Sequence, residues 1–151
     1  RYSMSMKSQI TDAMKQAMRA KDKARLGAIR LMLAEVKRIE VDERIEIDDE
    51  RLLSILDKMV KQRRDSISQY EAAGRDELAA IEIDEITVIQ DFLPTALNED
   101  EINGMIAAAI AETGAESMRD MGKVMGLLRP QIQGRADGGA VSSLVKVALN
   151  R

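Results

Sequence analysis

This chain of 151 residues has no histidine, no cysteine and no tryptophan, and its three aromatic residues are Tyr2, Tyr70 and Phe92. Without histidine or cysteine it lacks the usual general base, the thiol nucleophile and the commonest soft metal ligands. Zero cysteines also leave nothing from which to build a disulfide framework. With so few aromatics, stacking of single-stranded bases on flat side chains is not expected. No apolar run approaches the ~20 residues of a membrane span, and no secretory signal is visible. These absences lead to the expectation of a cytoplasmic protein with no cofactor, no metal and no membrane partner. Arg1-Tyr2-Ser3, ahead of Met4, reads as an expression remnant.

What is present favours helix. Hydrophobic residues make up 45% of the chain, ten of them Met, so the core must be built from Leu, Ile, Val, Met and Ala. Such side chains, with the abundant Glu, Lys and Arg, lose little rotamer freedom in a helix. The length suits one compact domain or two very small ones.

The net charge of −3 conceals a segregation. Residues 4–70 carry 15 basic against 12 acidic side chains, residues 71–117 carry 1 against 12, and residues 118–151 carry 6 against 2. A partner meets these local fields rather than their sum. Nucleic acid would be repelled by the middle and admitted at the ends.

Hydrophobic periodicity gives a series of helices. The first runs from Ser5 to about Ala20, with Ile10, Met14, Ala17 and Met18 on one stripe. The second runs from near Asp22 to about Glu40, with Leu26, Ile29, Leu33 and Val36 inward. Asp42–Ile47 reads as a polar connection. Asp48 or Asp49 caps a long helix bearing Leu52, Leu56, Met59, Val60, Arg63, Ile67 and Tyr70, which Gly74 ends. A helix over about Asp76–Phe92 carries Leu78, Ile81, Ile86 and Ile89.

Leu93-Pro94 is the clearest break, because proline has no N–H and disfavours helix in the residue before it. A hinge is expected near Leu93–Thr95. Beyond it Asn98 and Glu101 make a capping-box start for a helix ending near Gly114, and Ser117 can cap the next. Met118, Met121, Val124, Met125 and Leu128 recur at helical spacing, as do Val141, Leu144, Val145 and Ala148. The elbow Gly134-Arg135-Ala136-Asp137 joins these two helices, Asp137 serving as N-cap. Nothing alternates with period two. The expected fold is all-α: an N-terminal helical-hairpin domain over residues 4–93, then a small three-helix bundle over 97–151.

No arrangement of reactive groups points to catalysis. Gly122-Lys123 lacks the rest of a phosphate loop. Asp48-Asp49-Glu50 lacks calcium-loop spacing and reads as a helix start favoured by the dipole. Ser143-Leu144-Val145-Lys146 matches Ser-x-x-Lys, but neither companion motif of that enzyme class accompanies it. Gly122 and Gly126 each cost about 1 kcal/mol of helix propensity relative to Ala, which close approach of a packed helix or an RNA backbone would offset.

Cations are the remaining candidates. Lys123, Arg129, Arg135 and Lys146 meet little opposing charge nearby and suit RNA phosphates. A secondary basic cluster, Lys58, Lys61 and Arg64, lies on the long helix. Lys15, Arg19, Lys21, Lys23 and Arg25 crowd the first hairpin turn. Arg63 falls in the apolar stripe, and is expected to form a buried pair with Glu82 or Glu85. Folded RNA read by shape and phosphate contact fits this inventory better than single strands, and no DNA is expected.

The pattern Gly122-Lys123-Val124-Met125-Gly126, then Gly134-Arg135-Ala136-Asp137, then Leu144-Val145-Lys146 resembles the C-terminal tail of GatB, the tRNA-handling subunit of glutamine-dependent Asp/Glu-tRNA amidotransferase. With Lys-Gln-Arg-Arg-Asp-Ser at 61–66, Ala-Gly-Arg at 73–75, Glu82 with Glu85-Ile86, and Phe-Leu-Pro at 92–94, the chain from Met4 to Leu149 resembles the stand-alone GatB/YqeY family. The resemblance implies association with tRNA or an amidotransferase. It also implies the family-level label of a carbon–nitrogen ligase using glutamine as amide donor, although the catalytic cradle of GatB and its metal ligands have no counterpart here. Gly138-Gly139 departs from the pattern and is expected to loosen the first turn of the last helix. Two readings stay open: a non-catalytic module binding tRNA or a tRNA-processing protein, or a protein-interaction module docking a basic partner on residues 71–117 with no RNA role.

Overall fold

The computed structural model describes residues 4–150, so the Arg1–Ser3 reading falls outside the described residues. Among these residues the fold is all-α, with seven α-helices, one short 3-10 turn and no strand. The chain divides into two compact units, Arg1–Leu93 and Pro94–Arg151.

The first unit holds α1 (Met6–Ala20), α2 (Lys23–Glu43), α3 (Asp49–Ala72) and α4 (Asp76–Gln90). Side-chain caps at three of the starts show why the chain turns where it does. Ser5 accepts from the Ser8 N–H, Asp22 from Arg25 and Asp48 from Arg51, each satisfying a donor that the first helical turn leaves free. Asp49 accepts the Met6 N–H at 3.0 Å, tying the start of α3 to the start of α1. Asp48 and Asp49 are therefore spent on helix termini. Gly74 closes α3 at φ 72° and Arg75 folds back so that its N–H reaches the Tyr70 carbonyl at 2.8 Å.

The core of this unit contains Ile10, Ile29, Met32, Val36, Leu52, Leu56, Met59, Val60 and Ile89. Fully burying one such side chain is worth about 1.5–3 kcal/mol. Three expectations need correction. Met18 is half exposed, and Ala13 packs against the core beside the expected Met14. Ile81 is 58% exposed, and Ala79 is buried instead. The Asp42–Ile47 connection is not simply polar: α2 continues to Glu43, Arg44 takes a left-handed conformation, and Ile47 is buried. Glu40 explains that turn, since its carboxylate accepts the Ile47 N–H at 3.0 Å and the Lys7 ammonium at 3.0 Å. Those contacts, the backbone bond first, hold Glu40 below the usual carboxylate range. The expected partner of Arg63 is found, for it lies against both Glu82 and Glu85.

The second unit holds α5 (Glu99–Thr113), a 3-10 turn (Met118–Asp120), α6 (Met121–Ile132) and α7 (Gly138–Leu149). The capping box is formed at α5, where Asn98 accepts the Glu101 N–H and Glu101 accepts the Asn98 N–H. Val124, Leu128, Val141 and Val145 are fully buried, with Ile102, Ile106, Met125, Ile132 and Leu149 around them. Ser117 stands at the N-cap of the 3-10 turn, as expected, and the Asp120 carboxylate accepts the N–H groups of Glu116 and Ser117 in the returning half of a capping box. Asp137 caps α7 by accepting the Ala140 N–H at 3.0 Å. The first turn of α7 is formed across Gly138-Gly139. A Cβ at position 139 would stand 3.3 Å from the capping oxygen, so glycine makes room for the cap.

Candidate nucleic-acid interface

The cationic segment begins at the 3-10 turn and ends on α7, and its two acids are both occupied. Asp120 is held below its ordinary pKa chiefly by the Glu116 N–H, then by Ser117 and the nearby Lys123 and Arg119. Asp137 is the cap of α7. Each carboxylate faces the N–H groups of a turn and keeps its charge, that of Asp120 being felt by Lys123 and Arg119 as well.

Lys123 and Arg129 are exposed on α6. At ~100° per residue Gly122 and Gly126 fall between Lys123 and Arg129 around the helix, with Lys123 turned away from the buried Val124, Met125 and Leu128 and Arg129 at the edge of that stripe, one turn on from Met125. The glycines do not serve close helix packing: a Cβ built at either would meet nothing within 4 Å. A second feature of this helix explains part of the pattern. Pro130 lies inside α6, where it removes one backbone donor and crowds the carbonyl four residues earlier, that of Gly126. Glycine at 126 lets the backbone give there. The result is an open strip with little side-chain bulk, flanked by two cations that form no ion pair among the described residues.

The other two residues are placed differently. Arg135 sits in the elbow, where Gly134 takes φ 73°, and its Nε donates to the Thr95 carbonyl at 3.2 Å. Its own carbonyl accepts the Leu97 N–H at 2.9 Å. Arg135 thus clips the segment ahead of α5 to the elbow, and only the remainder of its guanidinium faces outward. Lys146 is exposed on α7, one turn from Ser143, whose hydroxyl donates to the Gly139 carbonyl at 3.1 Å. The Ser143 hydroxyl thus bonds back to its own helix at the carbonyl four residues earlier. Arg119 is exposed in the 3-10 turn and adds a further cation to this segment.

Lys58, Lys61 and Arg64 are all exposed on α3 at three-residue spacing. Lys58 borders a polar recess of about 340 Å³ with Glu35, Arg38, Arg51 and Ser54. That recess is largely neutralised, for Arg38 pairs with Glu35 and Asp42, and Arg51 with Glu43. In the first hairpin turn Arg25 pairs with Asp91 at 2.7 Å and lies 5.7 Å over the Phe92 ring. In the tail, Lys123, Arg129 and Lys146 take part in no ion pair among the described residues, and the same holds for Lys58, Lys61 and Arg64 on α3.

No group of three or more acidic side chains among the described residues is arranged to hold a metal ion. No described helix is long and apolar enough to cross a membrane.

Comparison with known proteins gives one family, described as Yqey-like protein, whose pattern matches residues 7–149. Similar curated proteins are named "Altered inheritance of mitochondria protein 41, mitochondrial". The one from Pyrenophora tritici-repentis is 32% identical over 126 residues, covering 82% of this chain and 68% of its own length. The Vanderwaltozyma polyspora protein is 41% identical over 81 residues, covering 53% of this chain and 44% of its own length. That from Saccharomyces cerevisiae strain YJM789 is 37% identical over 81 residues, with the same two shares. The chain spans about half the length of most of these relatives. Their names correct the expected cytoplasmic location, since they point to the mitochondrion.

Proposed function

Because this chain belongs to the YqeY-like family, we propose that it is a non-catalytic module that binds tRNA, or an amidotransferase-type partner handling tRNA, through the solvent face of α6. One observation carries the reading: Lys123 and Arg129 flank the open glycine strip of α6 while the nearby acids are committed as caps. A phosphate backbone needs close approach and unpaired cations, and this surface offers both. The resemblance of residues 118–149 to the GatB tail supports the choice of tRNA among folded RNAs. Shape and phosphate contact would carry recognition, in keeping with the scarcity of aromatic side chains.

A catalytic role finds little support in the residues. The chain has no histidine or cysteine, and the serine with a lysine at a suggestive spacing, Ser143, donates its hydrogen bond to a backbone carbonyl.

The test is direct binding of unfractionated tRNA, compared with duplex DNA and with an unstructured RNA of equal charge. Retention of tRNA at low salt, with weaker retention of the other two, is the expected result. Equal binding of all three would reduce the surface to a nonspecific polycation. Failure to bind any would leave the protein-partner reading alone.

A further inference from the structure

Between α2 and α4 runs a groove of about 530 Å³ that neither the RNA reading nor the core accounts for. Its walls come from Ala24, Gly27, Ala28 and Leu31 on α2, and from Ile81 and Val88 on α4. Leu31 and Ile81 are 49% and 58% exposed and line the same groove. Four charged residues also line it: Lys23, Arg25, Asp84 and Glu85. Two of them are already engaged, Arg25 with Asp91 and Glu85 with Arg63. Lys23 and Asp84 form no ion pair among the described residues.

The arrangement along the groove has a direction. The Arg25–Asp91 pair places the start of α2 beside the end of α4, so the helices run antiparallel here and Leu31 lies toward the Ile81 end. One end is therefore bulky and apolar. The other is shallow, floored by Ala24 and by Gly27, where a Cβ would meet nothing within 4 Å.

We propose that this groove is the contact face of a symmetric dimer, its occupant a second copy of the chain. A two-fold axis crossing the groove obliquely sets Leu31 against its counterpart, seats Ile81 of one copy over the Ala24–Gly27 hollow of the other, and brings Lys23 to the partner copy's Asp84. Each contact then occurs twice, as an isologous interface requires. The surface is complementary to itself in shape, bulk against hollow, and in charge, the free cation against the free carboxylate. A basic partner would gain from Asp84 but would meet Lys23, and an acidic one the reverse.

Sedimentation velocity over a concentration series tests the proposal, with Ile81→Arg, Lys23→Glu, Asp84→Lys and the double variant Lys23→Glu/Asp84→Lys. All of these positions are exposed, and helix content by circular dichroism confirms that each variant is folded. The wild type is expected to pass from one copy to two as concentration rises. Ile81→Arg should remain a monomer, and each single charge reversal should weaken association at least tenfold. The double reversal should restore it, because the pairs are re-formed with their signs exchanged. A wild type that stays monomeric throughout overturns the proposal. So does a dimer indifferent to Ile81→Arg, or a double reversal no better than the singles.

Discussion

Arg63 on α3 donates from Nη2 to Glu85 on α4 across 3.1 Å, while its Nε, buried and without a hydrogen-bond acceptor, stands 3.8 Å from Glu82. The guanidinium thus ties the long hairpin together with one true hydrogen bond to a carboxylate and one purely electrostatic neighbour. Its side chain and those of both acids are about four-fifths covered, so loss of the cation leaves carboxylates poorly solvated. Arg63→Met is expected to cost roughly 1–3 kcal/mol in chemical denaturation. In double-mutant cycles the coupling of Arg63 to Glu85→Gln should exceed that to Glu82→Gln. Equal couplings would mean that the hydrogen bond adds nothing to the charge.

Lys21 ends α1 in the left-handed region at φ 57°. A residue with a Cβ costs about 1–2 kcal/mol there, and the Lys21 side chain makes no hydrogen bond or ion pair among the described residues that offsets it. Lys21→Gly should therefore raise the stability of the first unit by up to about 1 kcal/mol, read as a higher denaturation midpoint at unchanged slope. A lower midpoint would show that the side chain has a role in the α1–α2 turn.

Asp120 gives a pH dependence whose sign is fixed. Its carboxylate accepts the Glu116 and Ser117 N–H groups and is held below its usual value. The stabilisation it gives is present above the unfolded pKa of about 3.9, and is lost as pH falls through the lower folded value. Asp120→Ala should lower the melting temperature at neutral pH, with wild type and variant converging below about pH 4. A difference that persists undiminished in acid would assign the effect to packing rather than charge.

Gly126 separates stability from function. With open space where its Cβ would be, Gly126→Ala should stabilise α6 by about 0.5–1 kcal/mol, reduced by any crowding against Pro130. If RNA approaches this strip, the same change should weaken tRNA binding. A variant both more stable and equally good at binding would remove the glycines from the interface.

Much of this fold can be read from residue type and spacing, and the failures have a common cause. The caps at Asp48, Asn98 with Glu101, and Asp137 are legible because they depend on short-range backbone donors. The Arg63 pair is legible because a cation inside an apolar stripe demands a carboxylate across from it. Periodicity, however, names a stripe without saying what covers it. Ile81 has the right spacing and lies open, while Ile47 sits in a polar connection and is buried because Glu40 draws its backbone inward. The interface suffers from the same limit: spacing identifies Arg135 as a cation, but only the folded elbow reveals that its Nε is spent on Thr95. The open space beside Gly122 and Gly126 likewise depends on where α5 and α7 pack.

The salt dependence of tRNA binding tests the α6 surface most directly, measured for wild type, for Lys123→Ala/Arg129→Ala, and for the quadruple variant that adds Arg135→Ala and Lys146→Ala. With Arg135 partly engaged, about three phosphate contacts imply a log–log slope of roughly −2 to −3. The double variant should lower the magnitude of that slope by nearly two contacts and weaken binding at low salt, and the quadruple variant should bring it close to zero. Affinities and slopes equal in all three proteins would contradict the account and remove this surface from RNA recognition.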